Sequence, residues 1–512
     1  MNIKNFFSVS FWTLCSRVLG LIRDVILSRY LGATMLADMF FVALKIPNLF
    51  RRFFAEGAMQ GAFIPIFANK FSTNPNKAKY IASQILTLFF FIVFVVMIFL
   101  EIYADLLLDI IAPGFRAKGE EIFSQSVFLL RITTPYLFFI SLVAFYSSIL
   151  NTIGKFSLVA FVPSILNIVL IIFLLNGDIF ANYAIAGAWA VLCAGIIQFI
   201  FVAYGCYKSK IFVKISIKYF FAKLTIETQL FFKKIVPVVL GAGVYQINIV
   251  IDIIAGSLLS AGSISYLFYA DRIYQLPLAL IGISIATILL PSISKNSTFD
   301  NLENKQKALL FGIILGLPAS IGLIVLAQPI IKIIFLGGDF LEEDVILTSL
   351  CLMIYSISLL PNILIKIILP FFYSHGDTKR PLYNTILCLI VNIVLVFPLA
   401  DKYGVMGIAL ATTIASYVNF ITILFLALKH KYIAFNLAFY LEVLKIIMAN
   451  IFLTLFLLLF YFVIDYLSIS LFWERLIVIA SIGFTILLML LLLKLLKVRI
   501  FLAIINKIVY KK

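Results

Sequence analysis

Runs of about twenty apolar residues recur along almost the whole chain, and no other feature constrains its fold as strongly. A run of that length crosses the hydrocarbon of a bilayer as one α-helix. In lipid, helices and closed barrels are the structures that satisfy every backbone polar group. About 14 such runs can be read, roughly at 5–29, 35–67, 80–104, 123–150, 156–176, 183–207, 230–258, 263–292, 306–327, 344–373, 381–400, 404–428, 437–464 and 470–495. They predict an all-α polytopic membrane protein with about 14 transmembrane helices. Composition agrees: 64% of the 512 residues are hydrophobic and 12% charged. No long polar stretch is left for a separate soluble domain. Span 35–67 is too long for one straight crossing, and Pro47, Gly57 and Gly61 predict a bend or break in it.

The net charge is +17. In a soluble protein that would suggest nucleic acid, but here the basic residues collect in alternate loops, as the positive-inside rule requires. One set of loops holds Lys70, Lys77 and Lys79, Lys155, the lysines from Lys208 to Lys234, Lys295, Lys305 and Lys307, Lys379 and Arg380, Lys429 and Lys431, and the tail from Lys494 to Lys512. The intervening loops hold acids such as Asp105, Glu120, Asp178, Glu342 and Asp401. An even span count then places both termini in the cytoplasm, and nucleic acid is excluded as a partner. The five cysteines are scattered and form no CxxC or Cys/His cluster, so neither a disulfide framework nor a thiolate metal site is expected. Arg17 and Arg23 interrupt the first apolar run and no small-residue cleavage site follows, so it reads as a retained span, not a signal peptide.

The chain also repeats itself. DIIAPGF (109–115) corresponds to IIFLGGDF (333–340), NIVLIIFLL (167–175) to NIVLVFPLA (392–400), and YAIAGAWAVLCAG (183–195) to YGVMGIALATTIA (403–415), in the same order. The polar turns NTIGK (151–155) and SHGDTK (374–379) each follow a proline-containing span. A repeat of six helices gives two pseudo-twofold-related lobes, 1–210 and 211–430, with 431–512 adding two extra helices and a basic tail. This is a transporter layout, with the substrate site expected between the lobes and transport by rocking them. The short apolar segments 106–116 and 329–340 read as interfacial helices on the outer side.

Residues 13–67 are apolar enough for a membrane yet carry Arg17, Arg23, Asp24, Arg29, Asp38, Lys45, Arg51, Arg52 and Glu56. Ionisable groups at bilayer depth are costly and face a bundle interior or a water-filled cavity. Arg17 and Asp24 are seven apart and share a helix face; Arg23 points elsewhere unless Gly20 distorts the helix. Asp38, Lys45 and Arg52 are also spaced by sevens, but Pro47 can reset the phase, which leaves Arg51 and Arg52 both open. Arg29 reads as an interfacial anchor. Later in the chain Asp271 and Arg272 interrupt one span, while Asp252, Lys366 and Arg131 each stand alone.

The excess of arginine predicts a positive cavity, hence an anionic ligand. Guanidinium stays charged when desolvated and its fork fits phosphate or carboxylate oxygens. No Walker loop, HExxH or GxSxG motif is present, and the two histidines, His375 and His430, lie in loops. The chain therefore reads as a transporter driven by a gradient or the membrane potential, not as an enzyme. A cation exporter would need an acidic cavity, which this sequence lacks.

SRVLGLIRD (16–24), LADMFFVALKIPNLFRRFFAEGAMQGAFIPIF (36–67), APGF (112–115) and YADRIYQLPLALIGISIATILLP (269–291) closely resemble the MurJ/MviN family of lipid II flippases. That family lies within the superfamily of multidrug and oligosaccharidyl-lipid exporters. The resemblance implies that the substrate is lipid II, the undecaprenyl-pyrophosphate-linked peptidoglycan precursor, moved from the inner to the outer leaflet by alternating access. It implies substrate-binding roles for Arg17, Arg23, Arg51 and Arg272, with Asp24, Asp38 and Arg52 nearby. It implies a lipid-tail groove at the two extra helices, and membrane lipids and cell-wall synthesis proteins as partners. Some members bind sodium in the second lobe, for which Asp252, Asn392 and Thr412 are the matching oxygens. Val396, one turn from Asn392, supplies no second carboxylate.

Overall fold

A computed structural model of the chain describes residues 3–52, 59, 61–294, 302–466, 471–499 and 501–502. Glu56, Gly57 and the last ten residues of the basic tail lie outside them. Among the described residues the chain is helical, and its one β-bridge joins Gly337 to Phe340. Contacts divide it into two compact units, Met1–Ser265 with Gly337–Phe340, and Tyr266–Leu336 with Leu341–Lys512.

The first unit holds α1 (Ile3–Leu31), α2 (Met35–Arg51), α3 (Ile64–Thr73), α4 (Pro75–Ile102), α5 (Ala104–Ile111), α6 (Pro113–Ala117), α7 (Glu120–Thr152), α8 (Phe156–Leu175), α9 (Tyr183–Lys208), α10 (Ile217–Phe221) and α11 (Ile226–Leu258). Side chains that can accept from the first turn start several of them: Asn74 Oδ1 takes the Lys77 amide and Asn182 Oδ1 the Ile185 amide. The core is α7, whose buried face meets α2, α4, α8 and α9. Small residues let α9 approach closely. A Cβ on Gly187 would lie 2.7 Å from the Phe40 ring, and one on Gly195 would lie 2.6 Å from the Tyr136 ring.

Helix α2 continues through Pro47 to Arg51. Arg52, Met59 and Gly61–Phe63 are wound as π-helix before α3 begins. The departure from regular winding thus follows the proline instead of falling on it. Pro47 has no N–H to give the Ala43 carbonyl, and in hydrocarbon that carbonyl needs another donor. The Thr133 hydroxyl of α7 supplies it at 2.9 Å.

The second unit holds most of α12 (Ser263–Ser294), then α13 (Leu302–Val325), α14 (Ala327–Phe335), α15 (Glu342–Ile357), α16 (Leu359–Ser374), α17 (Lys379–Tyr403), α18 (Val405–Lys429), α19 (Leu437–Tyr466) and α20 (Leu471–Leu495). The span expected at 344–373 is broken at Ser358 into α15 and α16. Three carbonyls at this break are taken by neighbouring side chains: Ile354 by Thr413, Ser356 by Ser320, and Ile357, which Pro361 leaves without a donor, by the Tyr417 hydroxyl.

Among the described residues, ten helical segments are long and apolar enough to cross a membrane. The expected spans not among the ten are 5–29, 35–67, 230–258 and 263–292, where most of the candidate ionisable residues lie. All four are helical where described, as α1, as α2 with α3, as α11 and as α12. The expected interfacial segments are separate helices. Tyr103 ends α4 before α5, and Leu326 ends α13 before α14. Helix α5 buries Ala104, Leu108 and Ile111 and exposes Leu106 and Ile110, as an amphipathic helix at an interface would.

Candidate functional site

The centre of the charged cluster on α1 is Arg23. Its Nε and Nη2 both donate to Asp24 Oδ1, at 3.0 and 2.6 Å, and its Nη1 donates to Asn167 Oδ1 on α8 at 2.9 Å. The Asn167 amide nitrogen in turn donates to the Ser16 carbonyl at 2.9 Å. Gly20 lies beside this contact, and a Cβ there would sit 3.5 Å from Asn167 Nδ2, an ordinary packing distance, so the approach does not depend on glycine. Arg23, Asp24 and Asn167 are all buried. Burying a guanidinium is tolerable only when it is paired and hydrogen-bonded, which these contacts achieve. Helical spacing places Arg17 on the face of Asp24, and adjacent Arg23 donates to Asp24 as well as to Asn167. Arg17 is half-buried and has no hydrogen-bond partner among the described residues.

On α2, Arg51 Nε donates to Asn48 Oδ1 at 3.3 Å, and the half-buried Arg52 follows on the π-helical turn. Asp38 is committed elsewhere. Its buried carboxylate accepts the Gly262 amide at 2.8 Å, the Ser265 amide at 2.8 Å and the Ser265 hydroxyl at 2.6 Å. Asp38 thereby caps the start of α12 from a distant helix, as its charge favours at a helix N-terminus. The Lys118 ammonium acts on the same carboxylate. Its Nζ is buried with no hydrogen-bond partner among the described residues, and burial pushes its pKa below the ordinary lysine range.

Two backbone segments meet at the end of α1. The Asp339 amide donates to the Arg29 carbonyl at 2.9 Å. A Cβ on Gly32 would lie 2.2 Å from the Asp339 carbonyl oxygen, and one on Gly338 would lie 2.1 Å from that of Arg29.

In the second unit, Arg272 lays its guanidinium over the Phe268 ring at 4.4 Å, and Asp271 accepts from Gln275. A turn further on, Tyr274 joins a polar cluster in which Asn362 Nδ2 reaches the Tyr274 hydroxyl at 2.8 Å, Ser358 Oγ at 3.3 Å and Ser416 Oγ at 3.4 Å. Lys366, on the helix of Asn362, lies against Gly282. Of the sodium candidates, Asp252 is half-buried on α11 in the first unit, Asn392 is fully buried on α17, and Thr412 is half-buried on α18. Val396 is fully buried. Among the described residues no three His, Cys, Asp or Glu side chains come together as metal ligands.

Sequence reasoning missed Asn167, Lys118 and the Tyr274–Asn362 pair. A signal for Asn167 was present: it is the one amide in the middle of an apolar span, where Asn176 lies at the end, and it is the repeat mate of Asn392.

A many-helix fold with arginines held inside it defines a class, the polytopic helical transporters. Solved structures agree. The chain matches an inward-facing multidrug resistance MATE family transporter of the MOP superfamily with a TM-score of 0.63 at 15% identity, over 81% of this chain and 94% of that one, which speaks to fold alone. It matches "Lipid II flippase MurJ, inward closed conformation" with a TM-score of 0.80 at 30% identity, over 98% of this chain and 99% of that one. A family model described as "Lipid II flippase MurJ" matches residues 27–478. Curated relatives include probable lipid II flippases MurJ of Rickettsia prowazekii (strain Madrid E), 36% identical over 80% of this chain and 81% of that one, and of Buchnera aphidicola subsp. Schizaphis graminum (strain Sg), 35% identical over 93% of each. The chain belongs to the lipid II flippase MurJ family and is a multi-pass bacterial membrane protein.

Proposed function

We propose that this chain moves lipid II from the inner to the outer leaflet of the cytoplasmic membrane by alternating access, for peptidoglycan synthesis. The observation that carries the site is the state of the α1 arginines. Arg23 is desolvated and oriented by Asp24 and Asn167, while half-buried Arg17 on the same helix has no hydrogen-bond partner among the described residues. An arginine already oriented loses little side-chain freedom when a diphosphate arrives. Arg51 and Arg272 are proposed as further substrate-binding residues, and Asp38 fixes the start of α12. No bond to the substrate is made or broken, so no residue is assigned a catalytic role.

Replacing Arg17, Arg23, Arg51 or Arg272 by Ala is expected to abolish complementation of a flippase-depleted strain while the protein still inserts. Arg→Lys should restore it only in part, because the ammonium lacks the fork. Full activity of an Arg17→Ala/Arg272→Ala protein would overturn this site. Outward movement of an anion gains about 2.3 kcal/mol per charge per 100 mV from an interior-negative potential. Turnover in reconstituted vesicles should rise with that potential, and turnover indifferent to it would remove the energetic account. For sodium, α17 offers one buried amide and a valine where a second oxygen would be needed; the donors suit a tight hard-cation site poorly, and no step is assigned to an ion.

A further inference from the structure

The connection between α9 and α11, residues 208–226, looks like a linker in sequence but is fastened along its length. Gln84, fully buried on α4, donates to the Lys223 carbonyl at 3.0 Å and accepts the Thr225 amide at 3.0 Å and the Thr228 hydroxyl at 2.8 Å. Buried Thr87 accepts the Ser216 amide at 3.2 Å, and the Tyr146 hydroxyl donates to the Val213 carbonyl at 2.7 Å. Lys79 holds the Lys210 carbonyl at 2.8 Å. Ile211 and Val213 point inward and are buried. A mobile loop needs none of these bonds, and ordering an irregular segment this way is entropically costly.

The fastening presents a composite outer face. Ile217, Phe220, Phe221 and Ile226 are exposed, Phe221 and Ile226 at 81%. Interleaved with them are five exposed lysines, Lys208, Lys210, Lys214, Lys218 and Lys223. No acidic residue occurs from 179 to 226. So many lysines exclude the hydrocarbon core, and so much apolar area is poorly suited to water. The headgroup–acyl boundary accommodates both. Unbalanced positive charge there selects acidic headgroups.

We propose that residues 208–226 form a fixed shelf that binds acidic phospholipid headgroups, with Phe221 and Ile217 entering the acyl boundary. The site is separate from the arginine cluster and does not depend on which lipid-linked substrate the chain carries. To test it, the full chain with its native cysteines replaced by serine carries an environment-sensitive fluorophore on Phe221→Cys. It is reconstituted in phosphatidylcholine vesicles with or without phosphatidylglycerol. Quenching by lipids brominated high on the acyl chain should rise when phosphatidylglycerol is added. Charge reversal at Lys214, Lys218 and Lys223 to Glu should remove that rise, since each lysine near an acidic surface is worth about fivefold in affinity. If the reversed protein does not fold, Lys214→Gln/Lys218→Gln makes the same test with a partial loss. Equal quenching in both vesicle types, quenching that survives charge reversal, or a probe reached mainly by aqueous iodide would each overturn the proposal. The last would identify a water-facing surface for a soluble protein.

Discussion

Pro47 and Thr133 show how a single side chain settles a backbone problem. A carbonyl orphaned in a lipid-surrounded bundle costs free energy comparable to a lost hydrogen bond, and the Thr133 hydroxyl removes that cost for Ala43. Thr133→Val keeps the shape and deletes the donor. It is expected to lower stability by about 1–3 kcal/mol in denaturant unfolding of the purified protein. In a Pro47→Ala background, where the backbone at that position would supply the amide itself, most of that loss should vanish; an undiminished loss would show that Thr133 acts some other way. The prolines were legible in the sequence, and so was the need for a donor. The donor was not, because it lies 90 residues away on a helix whose face only packing decides. Asn167 was hidden from Arg23 for the same reason, and Gly262 and Ser265 from Asp38.

Among elements, the meeting of the 337–340 turn with the end of α1 is set by glycine geometry. Gly337 and Gly338 both have positive φ, at 131° and 63°. A Cβ on Gly337 meets nothing within 4 Å, whereas one on Gly338 meets the Arg29 carbonyl. Both Ala substitutions incur strain at positive φ, about 1–2 kcal/mol at Gly338 and about 1–3 kcal/mol at Gly337, and only Gly338→Ala also displaces α1. Thermal melting of the two variants should therefore separate them, with Gly338→Ala clearly lower; equal melting would mean the contact carries no weight. Expectations at this scale fared unevenly. Helices α5 and α14 were readable as short apolar stretches in repeat-related places. The break at Ser358 was missed although Pro361 follows it by three residues, since its carbonyls are satisfied by residues on other helices that the sequence does not bring together.

For the whole molecule, the alternation of basic and acidic loops predicts a sidedness that can be measured. In a background lacking native cysteines, Cys at Glu120 or Asp401 should react with an impermeant maleimide in intact spheroplasts, and Cys at Lys210 or Lys429 only after lysis. Labelling of Lys210→Cys in intact spheroplasts would invert the orientation. The membrane class and the charged helices were legible because lipid imposes long apolar runs and makes each interruption conspicuous. Which charges pair was not, because it depends on contacts across the bundle.

Residues 337–340 belong to the first unit although the chain on both sides belongs to the second. The gene is therefore not divisible where the contacts are. A fragment ending at Ser265 would be made with the Arg29 carbonyl and the cleft at Gly32 unfilled, and a fragment starting at Tyr266 would carry the missing turn as an unseated loop. Split-gene expression, domain exchange with a relative, or a permuted chain would have to carry these four residues with the first 265, or supply them as a separate peptide.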